Sequence, residues 1–110
     1  MMATLIRNAN DLASHWYEII QAEGEYEIAH VKQVGGVGII AFLKIHSEPG
    51  PVYVDLFDRT EEEAKRFEGQ VVRVSGQIQP PLDEERPLHV AARDNLPALV
   101  SISSIKLANG

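Results

Sequence analysis

The chain has 110 residues, a formal net charge of −6 at pH 7, a hydrophobic fraction of 45% and no cysteine. This length fits one domain with a modest core, and the composition is ordinary for a soluble globular protein. Disulfides and thiolate metal sites are excluded because there is no cysteine. The acidic balance opposes indiscriminate attraction to polyanions such as nucleic acids.

The N-terminal sequence MMATLIRNAND lacks the long apolar stretch of a secretory signal. No run in the chain approaches the roughly 18 apolar residues that a membrane span needs. We therefore expect a cytoplasmic protein whose single domain covers residues 1–110.

The N-terminal region has the pattern of an amphipathic helix. Asn8 or Asn10 can cap a helix that runs to about residue 22 and ends at Gly24. Its apolar stripe at helical spacing comprises Leu12, Trp16, Ile19 and Ile20. We expect residues 1–24 to form a helical extension and residues 25–107 to form the rest of the domain.

Strands are predicted next, over about residues 26–34 and 38–46. Gly35, Gly36 and Gly38 lie between the two runs and predict a hairpin connection. They do not form a phosphate-binding loop, because no Lys-Ser or Lys-Thr pair follows them. The turn-forming sequence SEPGP then leads into a third strand that begins at Val52.

The sequence RTEEEAKRFEG predicts a short helix. Thr60 and Glu63 form a Thr-x-x-Glu capping box, and Gly69 stands where a left-handed cap is needed. In the strand that follows, Val72, Val74, Gly76 and Ile78 share one face. A glycine inside a strand often marks a bulge or a bend.

The C-terminal third begins with a long, proline-rich loop over residues 80–98, with a short strand at about 88–91. A final strand spans residues 99–107. Its apolar phase changes between Val100 and Ile105, which predicts a bulge at Ser103 and Ser104.

This order resembles the oligonucleotide/oligosaccharide-binding (OB) fold. The matching residues are Val54, Leu56, Asp58, Gly69, Val72, Val74 and Gly76, as in the OB domains of single-strand-binding and anticodon-binding proteins. The resemblance implies a mainly β fold: a five-stranded Greek-key barrel with an N-terminal helix and a short helix between its third and fourth strands. It covers about a quarter of the chain in sequence pattern, and its matching positions are core and turn residues. Function transfers only as an analogy.

The outward face of the second and third strands is the candidate binding surface. If Ile39, Ala41, Leu43 and Ile45 point inward with Val52, Val54 and Leu56, the outward set is Ile40, Phe42, Lys44, His46, Tyr53, Asp55 and Phe57. Aromatic rings beside a lysine and a histidine suit base stacking with a phosphate contact, to which Arg73 is expected to add. Arg86, His89 and Arg93 give the long loop local positive charge for the same purpose.

The apolar pair Ile40 and Phe42 also fits a surface that protein covers. The cover would be the predicted N-terminal helix or a second subunit, and both alternatives stay open. We expect a homo-oligomer that uses this pair as its interface.

No motif in the chain predicts catalysis or a cofactor. His15, His30, His46 and His89 lack metal-ligand spacing, and the glutamate runs show no convergence of carboxylates. We therefore predict a non-catalytic OB-fold module without metal or cofactor. Its predicted ligand is single-stranded DNA or RNA, or a nucleic-acid-handling complex, and the alternative is a protein-interaction or oligomerisation module that uses the same face.

Overall fold

The computed structural model describes residues 4–33, 36–46, 51–56, 59–81 and 96–108. Its elements in chain order are β1 (Thr4–Ile6), a 3₁₀-helix (Ala9–Ser14), β2 (Ile19–Gln33), β3 (Gly36–Lys44), β4 (Pro51–Val54), α1 (Glu61–Phe67), β5 (Val71–Gln79) and β6 (Ala98–Leu107). The prediction of a mainly β protein is confirmed. Within the described ranges, no helix is long and apolar enough to cross a membrane.

The six strands form one mixed sheet, in which five strands pair in a ring that begins and ends at β2. β2 pairs antiparallel with both β3 and β5. β3 pairs antiparallel with β4, β4 pairs parallel with β6, and β6 pairs antiparallel with β5. The short β1 pairs parallel with β2 and lies outside this ring of five strands.

The long strand β2 changes partner near its middle. Its first part pairs with β5 and its second part with β3, and Glu25 belongs to both ladders, opposite Val71 and opposite Lys44. Gly24 precedes this crossing, where a Cβ atom would lie 2.5 Å from the backbone oxygen of Lys44. A residue without a side chain is therefore needed where the two backbones approach.

Alternating residues of the strands fill the core inside the ring. In β5, Val72, Val74 and Ile78 are fully buried, as their predicted common face requires. The predicted inward residues of β3 and β4 are also buried; they are Ala41, Leu43, Val52 and Val54, together with Ile45 just after β3. Ile39 and Leu56 are only partly buried and pack against the edge of this cluster.

Helix α1 begins and ends as its sequence predicts. The Glu63 backbone N–H donates to Oγ1 of Thr60 at 3.1 Å, and Gly69 has a φ of +80°. In a capping box the carboxylate of Glu63 would accept a hydrogen bond from the backbone N–H of Thr60. In the structure this carboxylate makes a different contact. It accepts two hydrogen bonds from the guanidinium of Arg59, at 2.9 Å and 2.6 Å. Apart from this difference in the partner of Glu63, the predicted helix is confirmed.

The predicted N-terminal helix is wrong beyond residue 14. The 3₁₀-helix ends at Ser14, Tyr17 adopts a φ of +70°, and β2 begins at Ile19. Ile19 is 60% exposed whereas Ile20 is fully buried, which is the alternation of a strand. Pairing with β5 satisfies the backbone here and overrides the helical spacing of the apolar residues. Strand β1 was not predicted.

A bulge in β6 is confirmed, but it spans residues 101–103 instead of Ser103 and Ser104. Ser104 pairs with Ser75 and Val100 with Gln77, so residues 101–103 of β6 lie opposite Gly76. A Cβ atom on Gly76 would lie 2.8 Å from the oxygen of Val100, and Ser101 has a φ of +53°. Ala98, Leu99 and Ile105 are buried and Ile102 packs against the core, whereas Val100 is only partly buried and Leu107 is 46% exposed. The predicted apolar face is therefore wrong at Val100 and Leu107.

Two further boundaries differ from the prediction. Gly36 and Gly38 lie inside β3, opposite Gln33 and Val31, so the hairpin connection is shorter than expected. The predicted strand over residues 88–91 and most of the long loop lie outside the described residues.

Candidate functional site

Two neighbouring aromatic rings lie on the outer face of β3 and β4. Phe42 is directly opposite Tyr53 in the β3–β4 ladder. Their ring centroids are 6.2 Å apart with an interplanar angle of 72°, an edge-to-face arrangement. Directly paired residues share a face of a sheet, so both rings point away from the buried Leu43 and Val52. We call Ile40, Phe42, Lys44 and Tyr53 the aromatic face.

The aromatic face is intermediate in exposure. Ile40, Phe42 and Tyr53 are half-buried, while Lys44 and the nearby His46 are exposed. His46 is at the end of the face, where its backbone oxygen accepts a 2.7 Å hydrogen bond from the N–H of Ala9. The structure therefore brings the predicted β3 and β4 residues together and leaves their outer sides accessible.

As far as the N-terminal segment is described, Leu12, Trp16 and Ile19 do not form the apolar cover that was one of the open alternatives. Leu12 is buried in the core, and Trp16 packs against the same core cluster. Ile19, the third member of the predicted stripe, is exposed on β2. The predicted apolar stripe does not form, because the helix stops before Trp16.

Carboxylates border the aromatic face on its β2 side and at the end of β4. In the β2–β3 ladder, Glu25 is opposite Lys44 and Glu27 is opposite Phe42, and both glutamates are exposed. Asp55 follows β4 two residues after Tyr53. Glu25 and Glu27 also line a shallow pocket of about 300 Å³ together with Glu68 and Gly69. Among the described residues, carboxylates therefore outnumber cations beside this face, which favours a cationic partner over a phosphate chain.

Sequence reasoning missed Glu25 and Glu27 as neighbours of the rings. The sequence signal for the outward position of these glutamates is their alternation with two inward residues. Tyr26 is fully buried, and Ile28 packs against the core. That alternation orients β2, but only its register with β3 places Glu27 beside Phe42.

Arg73 does not join the aromatic face. It lies on β5, and β2 lies between β5 and β3. Across the β2–β5 ladder Arg73 is opposite Glu23, whereas Phe42 of the aromatic face is opposite Glu27. Its Nε donates to Oε1 of Glu23 at 2.9 Å, and Arg7 contacts the other oxygen of Glu23 at 3.5 Å. Arg73 thus forms an ion pair between neighbouring strands, and its predicted phosphate contact stays a prediction.

Four other predicted site residues cannot be placed on this surface. They are Phe57, Arg86, His89 and Arg93, which lie outside the described residues. In the part of the chain that is described, no group of three or more histidine, aspartate or glutamate side chains could hold a metal ion.

No family model matches this chain. Comparisons with curated proteins and with solved structures also found no match. The aromatic face and the strand order that builds it are therefore the features from which a function can be inferred.

Proposed function

We propose that this protein is a non-catalytic binding module built on an OB-type barrel. The OB fold is a five-stranded Greek-key barrel that binds ligands on the face of its second and third strands. Three features support the proposal: the ring order β2–β3–β4–β6–β5, the parallel pairing of β4 with β6, and the position of α1 between β4 and β5. In this scheme β3 and β4 are the second and third strands, so the aromatic face occupies the expected ligand surface.

The partner that best fits this face is a protein surface with apolar and basic side chains. The observation that carries this choice is the Phe42–Tyr53 pair bordered by Glu25 and Glu27. The rings supply rigid apolar contact area, and the carboxylates attract lysine or arginine at the rim. Catalysis has no part in this proposal.

Single-stranded DNA or RNA is the second candidate partner. The adjacent rings and Lys44 favour it, because bases stack on aromatic side chains while a lysine contacts phosphate. The bordering carboxylates oppose it, since they repel the same phosphates.

A homodimer through the aromatic face remains a further proposal. An isologous contact would bring Glu25 and Glu27 of one copy close to those of the other. Their repulsion is screened by salt, so such a dimer would strengthen as salt is added. Sedimentation velocity at micromolar concentration and two salt concentrations measures this directly.

Neutralising the carboxylates distinguishes the two classes of partner by the sign of the effect. The variants are Glu25→Gln and Glu27→Gln, and the probes are a peptide of alternating lysine and tryptophan and a single-stranded oligothymidylate, both fluorescently labelled. If the partner is a basic protein surface, each variant binds the peptide about two- to five-fold more weakly at low salt. If it is nucleic acid, each variant binds the oligonucleotide more tightly.

Glu62→Gln is the matched control, because it removes the same charge from an exposed position on α1. Phe42→Ala should weaken binding of whichever probe the face takes, by roughly 1–3 kcal/mol. The proposal is abandoned if neither probe binds at low salt, or if Glu62→Gln changes binding as much as Glu27→Gln.

A further inference from the structure

A groove lies between α1 and β6. Its lining comprises Arg66, Phe67, Gln70, Lys106 and Leu107, and its volume is about 560 Å³. It is distinct from the aromatic face, because its lining residues come from α1, from Gln70 just before β5 and from β6, and none comes from β3 or β4. It has no part in the binding proposed for that face.

The floor of the groove is apolar. Phe67 is 7% exposed and packs against the buried Tyr26, with ring centroids 6.4 Å apart. Leu107 is 46% exposed although it lies opposite the buried Val72. Lys106 is also exposed, so the groove opens along the surface instead of enclosing a ligand as small-molecule sites do.

The rim of the groove is cationic. The guanidinium carbon of Arg66 lies 5.0 Å from the centroid of the Phe67 ring, and Lys106 stands on the other wall. Neither side chain makes an ion pair with a carboxylate in the described part of the chain. The arginines and the lysine that do make such pairs there are Arg7, Arg59, Lys65 and Arg73, each with a glutamate.

We propose that this groove binds an acidic peptide segment of a partner protein. An apolar side chain of the segment packs on Phe67 and Leu107, and its carboxylates lie between Arg66 and Lys106, with the Gln70 amide as a further donor. Charge complementarity supports this choice, because the described lining residues include two cations and no acid, in a chain of net charge −6. The groove and the aromatic face thus select partners of opposite charge.

The test uses a fluorescent pentapeptide in which one phenylalanine is flanked on each side by two aspartates. One control peptide replaces the phenylalanine by alanine, and another replaces the aspartates by asparagine. Binding to the full chain is measured by fluorescence anisotropy at low salt. Arg66→Gln, Lys106→Gln and Leu107→Ser should each weaken binding of the acidic peptide by about three- to ten-fold.

Lys65→Gln is the matched control, because it removes the same charge from α1 at a position that pairs with Glu61 instead of lining the groove. It should change the affinity less than two-fold, and so should Phe42→Ala on the aromatic face. Both control peptides should bind several-fold more weakly than the parent peptide. Circular dichroism confirms that each variant is folded.

Three results would overturn the proposal. The first is no binding of the acidic peptide at low salt, and the second is an equal effect of Lys65→Gln and Arg66→Gln. The third is self-association of the wild-type chain that Lys106→Gln abolishes, because the occupant would then be a second copy of the chain.

Discussion

Arg73 and Glu23 face each other across β5 and β2, with 2.9 Å between Nε of the arginine and Oε1 of the glutamate. Arg7 approaches the second oxygen of the same carboxylate. Glu23 is therefore shared between two arginines, one just after β1 and one on β5. This cluster ties neighbouring strands together, and among the described residues it leaves Lys44 as the cation of the aromatic face.

Arg73→Ala should lower the free energy of unfolding by no more than about 1 kcal/mol, because the pair is a third exposed at the arginine and solvent screens it. Binding at the aromatic face should not change. Urea unfolding measures the first effect and probe titration the second. Lys44→Ala is the comparison, since it should alter the affinity for charged probes and leave the stability nearly unchanged. A loss of binding in Arg73→Ala without a loss of stability would contradict the assignment.

Gly24→Ala should destabilise the protein by about 1–3 kcal/mol or more. The added Cβ would lie 2.5 Å from the backbone oxygen of Lys44, and backbone atoms cannot move aside as a flexible side chain can. The steric clash lies where β2 changes its partner from β5 to β3, so the stability of the whole ring of strands should fall. A variant that melts at the wild-type temperature would show that the two backbones are not in close contact.

Gly69→Ala should also destabilise the protein, but for a different physical reason from Gly24→Ala. No atom lies within 4 Å of the added Cβ, but the φ of +80° is unfavourable for a residue with a side chain. The expected loss is about 1–2 kcal/mol, confined to backbone strain after α1. Gly69→Asn should recover part of it, because asparagine tolerates the left-handed region better. Equal melting temperatures for the alanine and asparagine variants would argue against strain as the cause.

Local signals predicted α1 and β5 because everything that defines them lies within a few residues. Thr60 caps the helix, Gly69 ends it, and the alternation around Val74 sets the buried face of the strand. The same kind of reasoning failed for residues 15–22, where Trp16 and Ile19 have helical spacing. Partner strands from elsewhere in the chain decided the outcome there.

The aromatic face was predictable for a related reason. Alternation within β3 and within β4 placed Phe42 and Tyr53 on the outer side. Its charge was not predictable, since Glu27 meets Phe42 only through the register of two separate strands. The position of Arg73 likewise depends on the order of strands around the ring, which no local pattern encodes.

Val74→Asp should prevent cooperative folding. Val74 is fully buried on β5, and an unpaired carboxylate there would cost more than about 4 kcal/mol. Ser75→Asp is the matched control one residue along, on the outward face of the same strand, and it should fold. Circular dichroism melting of both variants checks the prediction. If Val74→Asp melts cooperatively and Ser75→Asp does not, the register of β5 is reversed.

The hydroxyl of Tyr26 is buried beside α1 without a hydrogen-bond partner among the described residues. Burial, the largest cause, and the charge of Glu63 together raise the pKa of Tyr26 to about 12, while the charge of Arg59 lowers it. The Arg59 guanidinium is committed to Glu63, whose hydrogen bond raises the pKa of Arg59.

At neutral pH, Tyr26→Phe should keep or raise stability by up to about 1 kcal/mol, because it removes a buried donor that has no partner in the described structure. At alkaline pH the unfolded chain loses the Tyr26 proton near the ordinary tyrosine pKa of 10.0, whereas the folded chain holds it until about 12. Since the unfolded state then binds fewer protons, stability falls as pH rises between these values, by on the order of 2–3 kcal/mol. Urea unfolding from pH 8 to pH 12 should show this loss in the wild type and in Tyr17→Phe, whose ring is exposed. Tyr26→Phe should lack it, and an identical alkaline loss in all three proteins would mean that Tyr26 does not titrate differently in the folded state.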